Sequence, residues 1–165
     1  MSQAAQPGEI AFVALGSNLG DSAEIVRRAM ERLQALSSAP LMRSSLVKTT
    51  PVDCPPDSSP FINAVVGLRP LPGETPETLF SRLREIEILF GRQPKKILNE
   101  PRALDLDLIA FGSRILNVPG LILPHPRAHL RRFVLQPLSE IAPDFVLPGQ
   151  VKTVRELLLS LPLAE

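Results

Sequence analysis

Two aspartates, Asp105 and Asp107, lie two residues apart where leucine and acid alternate, in Leu104-Asp105-Leu106-Asp107-Leu108. This alternation predicts a β-strand that presents both carboxylates on one face, about 6.5–7 Å apart. Aspartate is a poor strand former, and two like charges at this distance cost roughly 2 kcal/mol at an effective dielectric of about 20. A divalent cation would turn that repulsion into coordination, because Mg²⁺ is usually held by one or two carboxylates with substrate phosphates and water. The alternative is a solvent-facing strand whose acids bind nothing.

Basic residues surround this acidic pair. Residues 82–132 contain ten Lys or Arg and five Asp or Glu, whereas the rest of the chain is net acidic. A basic segment around two acids is typical of a site for a compact polyanion with its metal, such as a nucleoside triphosphate. Arg82 and Arg84 are expected to be solvated charges on a helix face. The candidates for phosphate contact are Arg92, Lys95, Lys96, Arg102, Arg127, Arg131 and Arg132.

Two other polar residues have constrained settings. His125 stands between Pro124 and Pro126, which restrict the backbone on both sides. Asn63 interrupts an apolar run, where a buried amide must find partners for both of its ends. Asn63 can therefore bind the edge of a flat heterocycle, or it can face solvent. His125 is either a ligand contact or an ordinary surface histidine.

Size and composition limit the class of protein. A chain of 165 residues with 44% hydrophobic and 21% charged residues fits one globular domain with a real core. The single Cys54 excludes an internal disulfide framework and indicates a reducing compartment. No stretch approaches the length of a membrane span, and the first residues lack a signal-peptide pattern. We expect a cytoplasmic protein with one catalytic domain over residues 1–165, of which 1–8 form a flexible extension.

Apolar spacing and turn residues predict the order strand, helix, strand, strand, helix, strand, then shorter elements. The predicted strands are 10–15, 44–48, 61–68 and 104–111, the last joined through Gly112-Ser113 to a hairpin strand at 115–118. The predicted helices begin at an Asp21 cap and at Thr75-Pro76, followed by 133–141, broken near Pro137, and 154–159. This order favours an α+β sandwich with an antiparallel sheet and helices packed on it.

Together these segments resemble the 6-hydroxymethyl-7,8-dihydropterin pyrophosphokinase family. The resemblance rests on 12–20, Thr50-Pro51, 61–65, Ile86-Glu87, Gly91-Arg92, 101–107, 123–127, 131–135 and 137–143. Each segment alone is weak, but the set in this order and spacing is highly specific and covers most of the chain. The resemblance implies a ferredoxin-like βαββαβ core. It also implies transfer of the intact pyrophosphoryl group of ATP to the hydroxymethyl oxygen of the pterin, with AMP as the other product, in folate biosynthesis.

The resemblance also implies roles for individual residues. Asp105 and Asp107 would hold two Mg²⁺ ions, and Arg92 and Arg102 would neutralise charge during transfer. The remaining assignments concern the two substrates: Glu87, Lys95, His125 and Arg131 for ATP, and Thr50, Pro51, Phe61, Asn63 and Phe133 for the reduced pterin. The two phenylalanines would stack on the two pterin faces, and plain core packing is the alternative for each.

One loop departs from the pattern of the family. The segment after Arg92 often carries further arginines and an aromatic residue, whereas this chain has Pro94, Leu98 and Asn99. Lys95 and Lys96 are candidates to compensate for the missing charge. We expect the loop to close over bound substrates, because prolines and charges leave it little core to bury.

Two other classes of protein stay open. A two-metal nucleotidyltransferase or polymerase-palm-like domain also places acids on a strand of a similar sheet, although a palm usually needs a longer chain. A non-catalytic ligand-binding module leaves the acids among arginines unexplained. RNA binding is disfavoured, because the chain has no Trp or Tyr for base stacking. We therefore expect small-molecule substrates, no nucleic acid, no membrane, and neighbouring folate-pathway enzymes as candidate protein partners.

Overall fold

The computed structural model describes residues 2–49, 60–91 and 103–162. A five-stranded sheet is formed by β1 (Ala11–Ser17), β2 (Met42–Arg43), β3 (Val47–Thr49), β4 (Phe61–Leu68) and β5 (Asp105–Phe111). A separate two-stranded sheet is formed by β6 (Leu116–Val118) and β7 (Leu121–Leu123). The helices are α1 (Ser22–Gln34), α2 (Pro76–Leu89), α3 (Arg132–Ile141) and α4 (Val154–Ser160), with a 3₁₀ turn at Ala128–Leu130.

The strands of the main sheet are all antiparallel to their neighbours. β1 lies in the centre between β4 and β5, and β2 and β3 both pair with the far edge of β4. A mixed fold of helices and an antiparallel sheet is thus confirmed. The order of elements along the chain is also as predicted, except that the second strand is divided in two.

Helices cover both faces of the sheet, because alternate strand residues point to opposite sides. On one face α1 and α2 bury residues such as Val13, Leu15 and Leu106. On the other face α3 and α4 bury residues such as Phe12 and Val65. Each face therefore has its own apolar core.

The start of α2 follows the sequence prediction. Pro76 is the first helical residue, and Thr75 caps the helix by accepting a hydrogen bond from the Thr78 N–H at 3.1 Å. At the start of α1, Asp21 accepts from the Glu24 N–H at 3.3 Å. Both caps satisfy backbone donors that have no partner within the helix.

Three local predictions are wrong. The strand predicted at 44–48 divides, because Ser44 bonds Val65 through both its backbone N–H and its Oγ. β6 pairs with β7 instead of forming a hairpin with β5. On the outer edge of β5, the Ile109 carbonyl instead accepts a hydrogen bond from the His125 N–H at 2.8 Å. α3 continues through Pro137, since burial of its apolar face outweighs the lost N–H.

The N-terminal segment, residues 2–9, makes contacts at two places. The Ala5 N–H donates to Glu74 O at 2.7 Å, beside the start of α2. Arg114, in the turn after β5, donates through Nη2 to Glu9 Oε1 at 2.7 Å. The flexibility expected of residues 1–8 stays a prediction, and these contacts argue against it. Among the described residues, no helix is long and apolar enough to cross a membrane.

Candidate active site

Asp105 and Asp107 lie at the start of β5, on the face that α3 covers further along the sheet. They stand opposite Gly16 and Ala14 of β1, and both are partly buried. Leu106 between them points into the opposite core. The prediction of two carboxylates on one face of a strand is confirmed.

Asn63 lies in the same row of the sheet as Asp105. Both residues stand opposite Gly16, one on each neighbouring strand. Asn63 is only 5% exposed, so the solvent-facing alternative for this residue is wrong. Its Nδ2 donates to Thr49 Oγ1 at 2.7 Å, and a Cβ added at Gly16 would lie 3.1 Å from its Oδ1. The amide oxygen is thus directed over Gly16, towards the acidic side.

His125 and Arg131 lie close enough to Asp107 to interact with its charge. The His125 Nδ1 accepts a hydrogen bond from the Arg127 N–H at 3.2 Å. Burial lowers the pKa of His125 below its ordinary value of 6.5, while the Asp107 charge opposes this and Arg131 and Arg127 lower it further. Burial also lowers the pKa of Arg131, against the attraction of Asp107, but a guanidinium stays charged in proteins. His125 is therefore neutral at neutral pH, and Arg131 carries the positive charge.

A cavity of about 380 Å³ opens beside Asp107. Its walls include Phe80 and Arg84 of α2, Leu121 and Ile122 of β7, and His125. The volume falls in the range of small-molecule pockets, roughly 300–1,000 Å³. No sequence pattern marks Phe80 or Ile122 as site residues, because their helix and strand are distant in the chain and meet only in the fold.

Glu87 and Arg84 lie beneath the acidic pair. The Glu87 side chain is fully buried, and its Oε2 accepts the Leu106 N–H at 2.8 Å. Arg84 donates through Nη1 to Glu87 Oε1 at 2.6 Å and through Nη2 to Leu106 O at 2.9 Å. The expectation that Arg84 is a solvated helix-face charge is wrong, because it ties α2 to β5. The contact between Glu87 and ATP stays a prediction.

The two predicted stacking residues lie at the same end of the sheet. Phe61 is the first residue of β4, and it points to the same face of the sheet as Asn63, which follows two residues later. Phe133 lies in the first turn of α3 and is 38% exposed, so it is not a core residue. The Arg131 guanidinium carbon lies 5.4 Å from its ring centroid, within reach of a cation–π contact.

Several predicted site residues lie outside the described ranges. They are Thr50, Pro51, Arg92, Lys95 and Arg102, together with the departures from the family pattern at Pro94, Leu98 and Asn99. The described chain resumes just before Phe61 and just before Asp105, at the end of the sheet that carries Asn63 and the acids. The roles of these residues outside the described ranges, and the closure of the loop after Arg92 over bound substrates, stay predictions.

The acidic pair fits a hard cation that shares its ligands with a substrate. Asp105 and Asp107 supply carboxylate oxygens, the ligands that Mg²⁺ prefers. Across residues 2–49, 60–91 and 103–162, no three His, Cys, Asp or Glu side chains form a group that could hold a metal by itself. We expect phosphate oxygens and water to complete the coordination, as is usual for Mg²⁺.

Known proteins resemble this chain along most of its length. The family described as 7,8-dihydro-6-hydroxymethylpterin-pyrophosphokinase (HPPK) matches residues 12–143. A Pseudomonas aeruginosa protein named 2-amino-4-hydroxy-6-hydroxymethyldihydropteridine pyrophosphokinase is 35% identical over 151 residues, which cover 92% of this chain and 91% of that protein. A Methylorubrum extorquens protein of the same name is 36% identical over 151 residues, covering 92% of each.

Solved structures show the same fold. The crystal structure of Plasmodium falciparum HPPK-DHPS wild type with pteroate has a TM-score of 0.70 at 14% identity, covering 92% of this chain. The described chain spans 42% of that longer protein, so the likeness concerns the fold of one part of it. The match to the family over residues 12–143 and the identity to full-length relatives lead to one conclusion. This chain belongs to the 7,8-dihydro-6-hydroxymethylpterin-pyrophosphokinase family.

Proposed function

We propose that this protein transfers the pyrophosphoryl group of ATP to 6-hydroxymethyl-7,8-dihydropterin, giving the pterin diphosphate and AMP in folate biosynthesis. The names of the relatives support this activity. The observation that carries it is the position of Asp105 and Asp107. Asp105 stands across Gly16 from Asn63, and Asp107 lines a cavity whose walls include Arg84 and His125.

The pterin half of the site is built on β4 and β1. Asn63 and Asp105 are separated by two strand spacings, about 9–10 Å, which suits a bicyclic ring with its hydroxymethyl group at the acids. Gly16 between them has no side chain to obstruct a flat ring. The Asn63 Oδ1 can accept from the N–H groups of the pterin edge, since Thr49 holds the amide in orientation. Phe61 and Phe133 are the candidates to stack on the ring.

The nucleotide half lies beyond the acids. The cavity beside Asp107 offers the Phe80 ring and the Leu121 side chain to a base, and opens towards His125. Because the His125 Nδ1 accepts a backbone N–H, the proton of the neutral imidazole lies on Nε2. Nε2 is then a donor for a phosphate oxygen, and Arg131 supplies positive charge nearby.

Asp105 and Asp107 would hold the metal, and the resemblance implies two Mg²⁺ ions. Magnesium, when bound, would neutralise phosphate charge and increase the acidity of the attacking hydroxyl. The residues of the chain orient the two substrates and stabilise the charge that moves as the phosphate bond breaks. Arg92, Arg102 and Lys95 are proposed to add positive charge, and Thr50 and Pro51 to complete the pterin pocket.

Further proposals concern the fold and the cellular context. The strand order β2/β3, β4, β1, β5, with antiparallel neighbours, supports a ferredoxin-like βαββαβ core in one domain. The HPPK-DHPS composition of the solved relatives supports association with neighbouring folate-pathway enzymes. A cytoplasmic location is the setting that we propose for this chemistry.

Incubation with ATP, Mg²⁺ and the reduced pterin tests the function directly. AMP and the pterin diphosphate should appear in equal amounts and only when the pterin is present. Release of pyrophosphate instead of AMP would favour the nucleotidyltransferase alternative. Binding of ATP without turnover in the presence of both substrates would favour a non-catalytic module.

A further inference from the structure

We infer that Glu87, acting with Arg84, is a positioning residue that holds the backbone between Asp105 and Asp107 and so sets the geometry in which these carboxylates meet the metal-bound phosphates. This inference rests on the proposed metal role of the two acids. It assigns Glu87 to the strand beneath the site instead of to the nucleotide. Three observations carry it: the edge position of β5, the burial of the ion pair, and the placement of Leu106.

β5 is an edge strand at the position of Leu106. Within residues 2–49, 60–91 and 103–162, it pairs on one side only in the main sheet, with β1, where Leu15 stands opposite Leu106. In an antiparallel pair, alternate residues direct both backbone groups towards the partner strand or both away from it. The Leu106 N–H and C=O bond Glu87 and Arg84 on α2. They therefore point away from β1, and the ion pair lies on the side of β5 where no other described strand pairs with Leu106.

The ion pair is held in place because Glu87 is buried and both of its carboxylate oxygens accept hydrogen bonds, although Arg84 Nε has no partner among the described residues. Glu87 is completely buried, and Arg84 is 33% exposed. One Glu87 carboxylate oxygen accepts from the Leu106 N–H, and the other accepts from Arg84 Nη1. The second terminal nitrogen of Arg84, Nη2, donates to the Leu106 carbonyl. Charge-assisted hydrogen bonds in a buried setting are short and directional. Rotation of the peptide units on either side of Leu106 would break at least one of these bonds.

Those peptide units are the ones that carry the acids. Leu106 is joined directly to Asp105 and to Asp107, so any change in its backbone angles reorients both carboxylates at once. Groups that orient the ligands of a metal typically change affinity or activity about 10–100-fold when they are removed. Glu87 therefore acts on the metal site through the strand, without touching the substrates.

A second ion pair on α2 provides a matched control. Glu74 is also buried, with 3% of its side chain exposed, and its Oε1 accepts from Arg82 Nε at 3.0 Å. This pair joins the turn before α2 to the helix itself, far along the chain from the acids. Loss of charge at Glu74 therefore perturbs the same helix without releasing Leu106.

The test compares Glu87→Gln and Glu74→Gln with the wild-type enzyme, using Mn²⁺ with an unreactive methylene analogue of ATP. Electron paramagnetic resonance reports the bound metal and calorimetry reports its affinity, both without turnover. In Glu87→Gln we expect at least about tenfold weaker binding of the Mn²⁺–analogue complex. Binding of the reduced pterin should change by less than about twofold, since Asn63 lies two strands away. In Glu74→Gln both affinities should stay near the wild-type values.

Two results would overturn the inference. One is a Glu87→Gln enzyme that binds the Mn²⁺–analogue complex as tightly as the wild type. The other is an equal loss of analogue and pterin binding in Glu87→Gln, which would indicate only general destabilisation. The Asp107→Asn variant separates the inference from the proposed function. If Asp107→Asn binds the Mn²⁺–analogue complex normally, the proposed metal role of the acids is wrong. If Asp107→Asn loses this binding and Glu87→Gln keeps it, only the positioning role of Glu87 is wrong.

Amide exchange in the wild-type protein covers the case in which Glu87→Gln does not fold. We expect the Leu106 N–H to be as protected in the free enzyme as in the complex with Mn²⁺ and the analogue, because Glu87 already accepts it. A Leu106 amide that exchanges rapidly in the free enzyme, and slowly only in the complex, would show that the strand is not held in advance.

Discussion

Asn63 and Asp105 lie opposite the same residue, Gly16, one on each strand that flanks β1. The proposed pterin contact and the proposed metal ligand are therefore held at a separation set by the sheet itself. A sheet spacing varies little, because backbone hydrogen bonds fix the distance between strands. The relative position of the two substrates consequently depends on three neighbouring strands and on the absence of a side chain at Gly16.

The Gly16→Ala substitution should impair use of the pterin. The added Cβ would lie 3.1 Å from Asn63 Oδ1, so the amide must shift from the position in which Thr49 holds it. We expect KM for the pterin to rise about tenfold or more, since small misplacements near a reacting group are costly. Steady-state kinetics with each substrate varied in turn measures this.

A control for this substitution lies in the same sheet. Gly67→Ala would bring a Cβ against Met42 Cε and to 3.2 Å from the Phe12 ring, away from the site. It should lower the stability of the fold without a selective change in KM for the pterin. If Gly16→Ala and Gly67→Ala had the same kinetic effect, the close approach of Gly16 and Asn63 would have no specific role.

The Asp107→Ala variant should lose nearly all turnover while keeping its fold. Asp107 is a proposed metal ligand, and its charge also acts on His125 and Arg131. AMP formation measures activity, and thermal unfolding measures stability. The control is Asp144→Ala, which removes a carboxylate whose side chain is 84% exposed. More than a tenth of the wild-type rate in Asp107→Ala would contradict the proposed role.

The stability of the metal-free enzyme should depend on the protonation of His125. Burial lowers the pKa of His125 in the folded protein below the 6.5 of the unfolded chain, so the unfolded state binds the proton more readily. The free energy of unfolding is therefore unaffected by this group above pH 6.5. It falls as the pH drops from 6.5 through the lower pKa of the folded state.

Urea unfolding of wild type and His125→Gln across this pH window measures the effect. The difference in slope between the two proteins gives the contribution of His125, since glutamine does not titrate. The His129→Gln variant controls for the loss of an imidazole elsewhere. Identical pH dependence in wild type and His125→Gln would contradict the predicted direction.

The Arg114→Ala substitution should release the N-terminal segment. Arg114 bonds the Glu9 carboxylate at 2.7 and 3.0 Å, donates to the Ala4 carbonyl at 2.9 Å, and lies 4.8 Å from the centroid of the Phe111 ring. We expect a loss of about 1–3 kcal/mol, the usual effect of leaving partly buried polar groups unpaired. Chemical denaturation measures the loss, and faster amide exchange at Ala5 should accompany it.

An exposed ion pair gives the comparison. Arg155 lies 3.5 Å from Asp144 with 60% of its side chain exposed, so Arg155→Ala should cost only about 0–1 kcal/mol. If Arg114→Ala and Arg155→Ala lost the same free energy of unfolding, the contacts of Arg114 would stabilise the fold no more than an exposed ion pair does.

Local sequence patterns determined the elements and the main chemistry. The alternation around Leu106 placed both acids on one face, because successive residues of a strand point to opposite sides. Thr75 and Pro76 marked the start of α2, since a side-chain cap and a fixed φ angle act within one turn. These features need only neighbouring residues, so they can be predicted without the fold.

Tertiary structure decided which side chains share a site and what supports it. The charges of Arg84 and Glu87 are indistinguishable in the sequence from solvated helix charges, and only the packing of α2 against β5 brings them to Leu106. The outer edge of β5 likewise receives His125 instead of the predicted hairpin strand. Contacts between distant segments depend on strand order and register. They are set by the burial of whole faces, which no short stretch of sequence encodes.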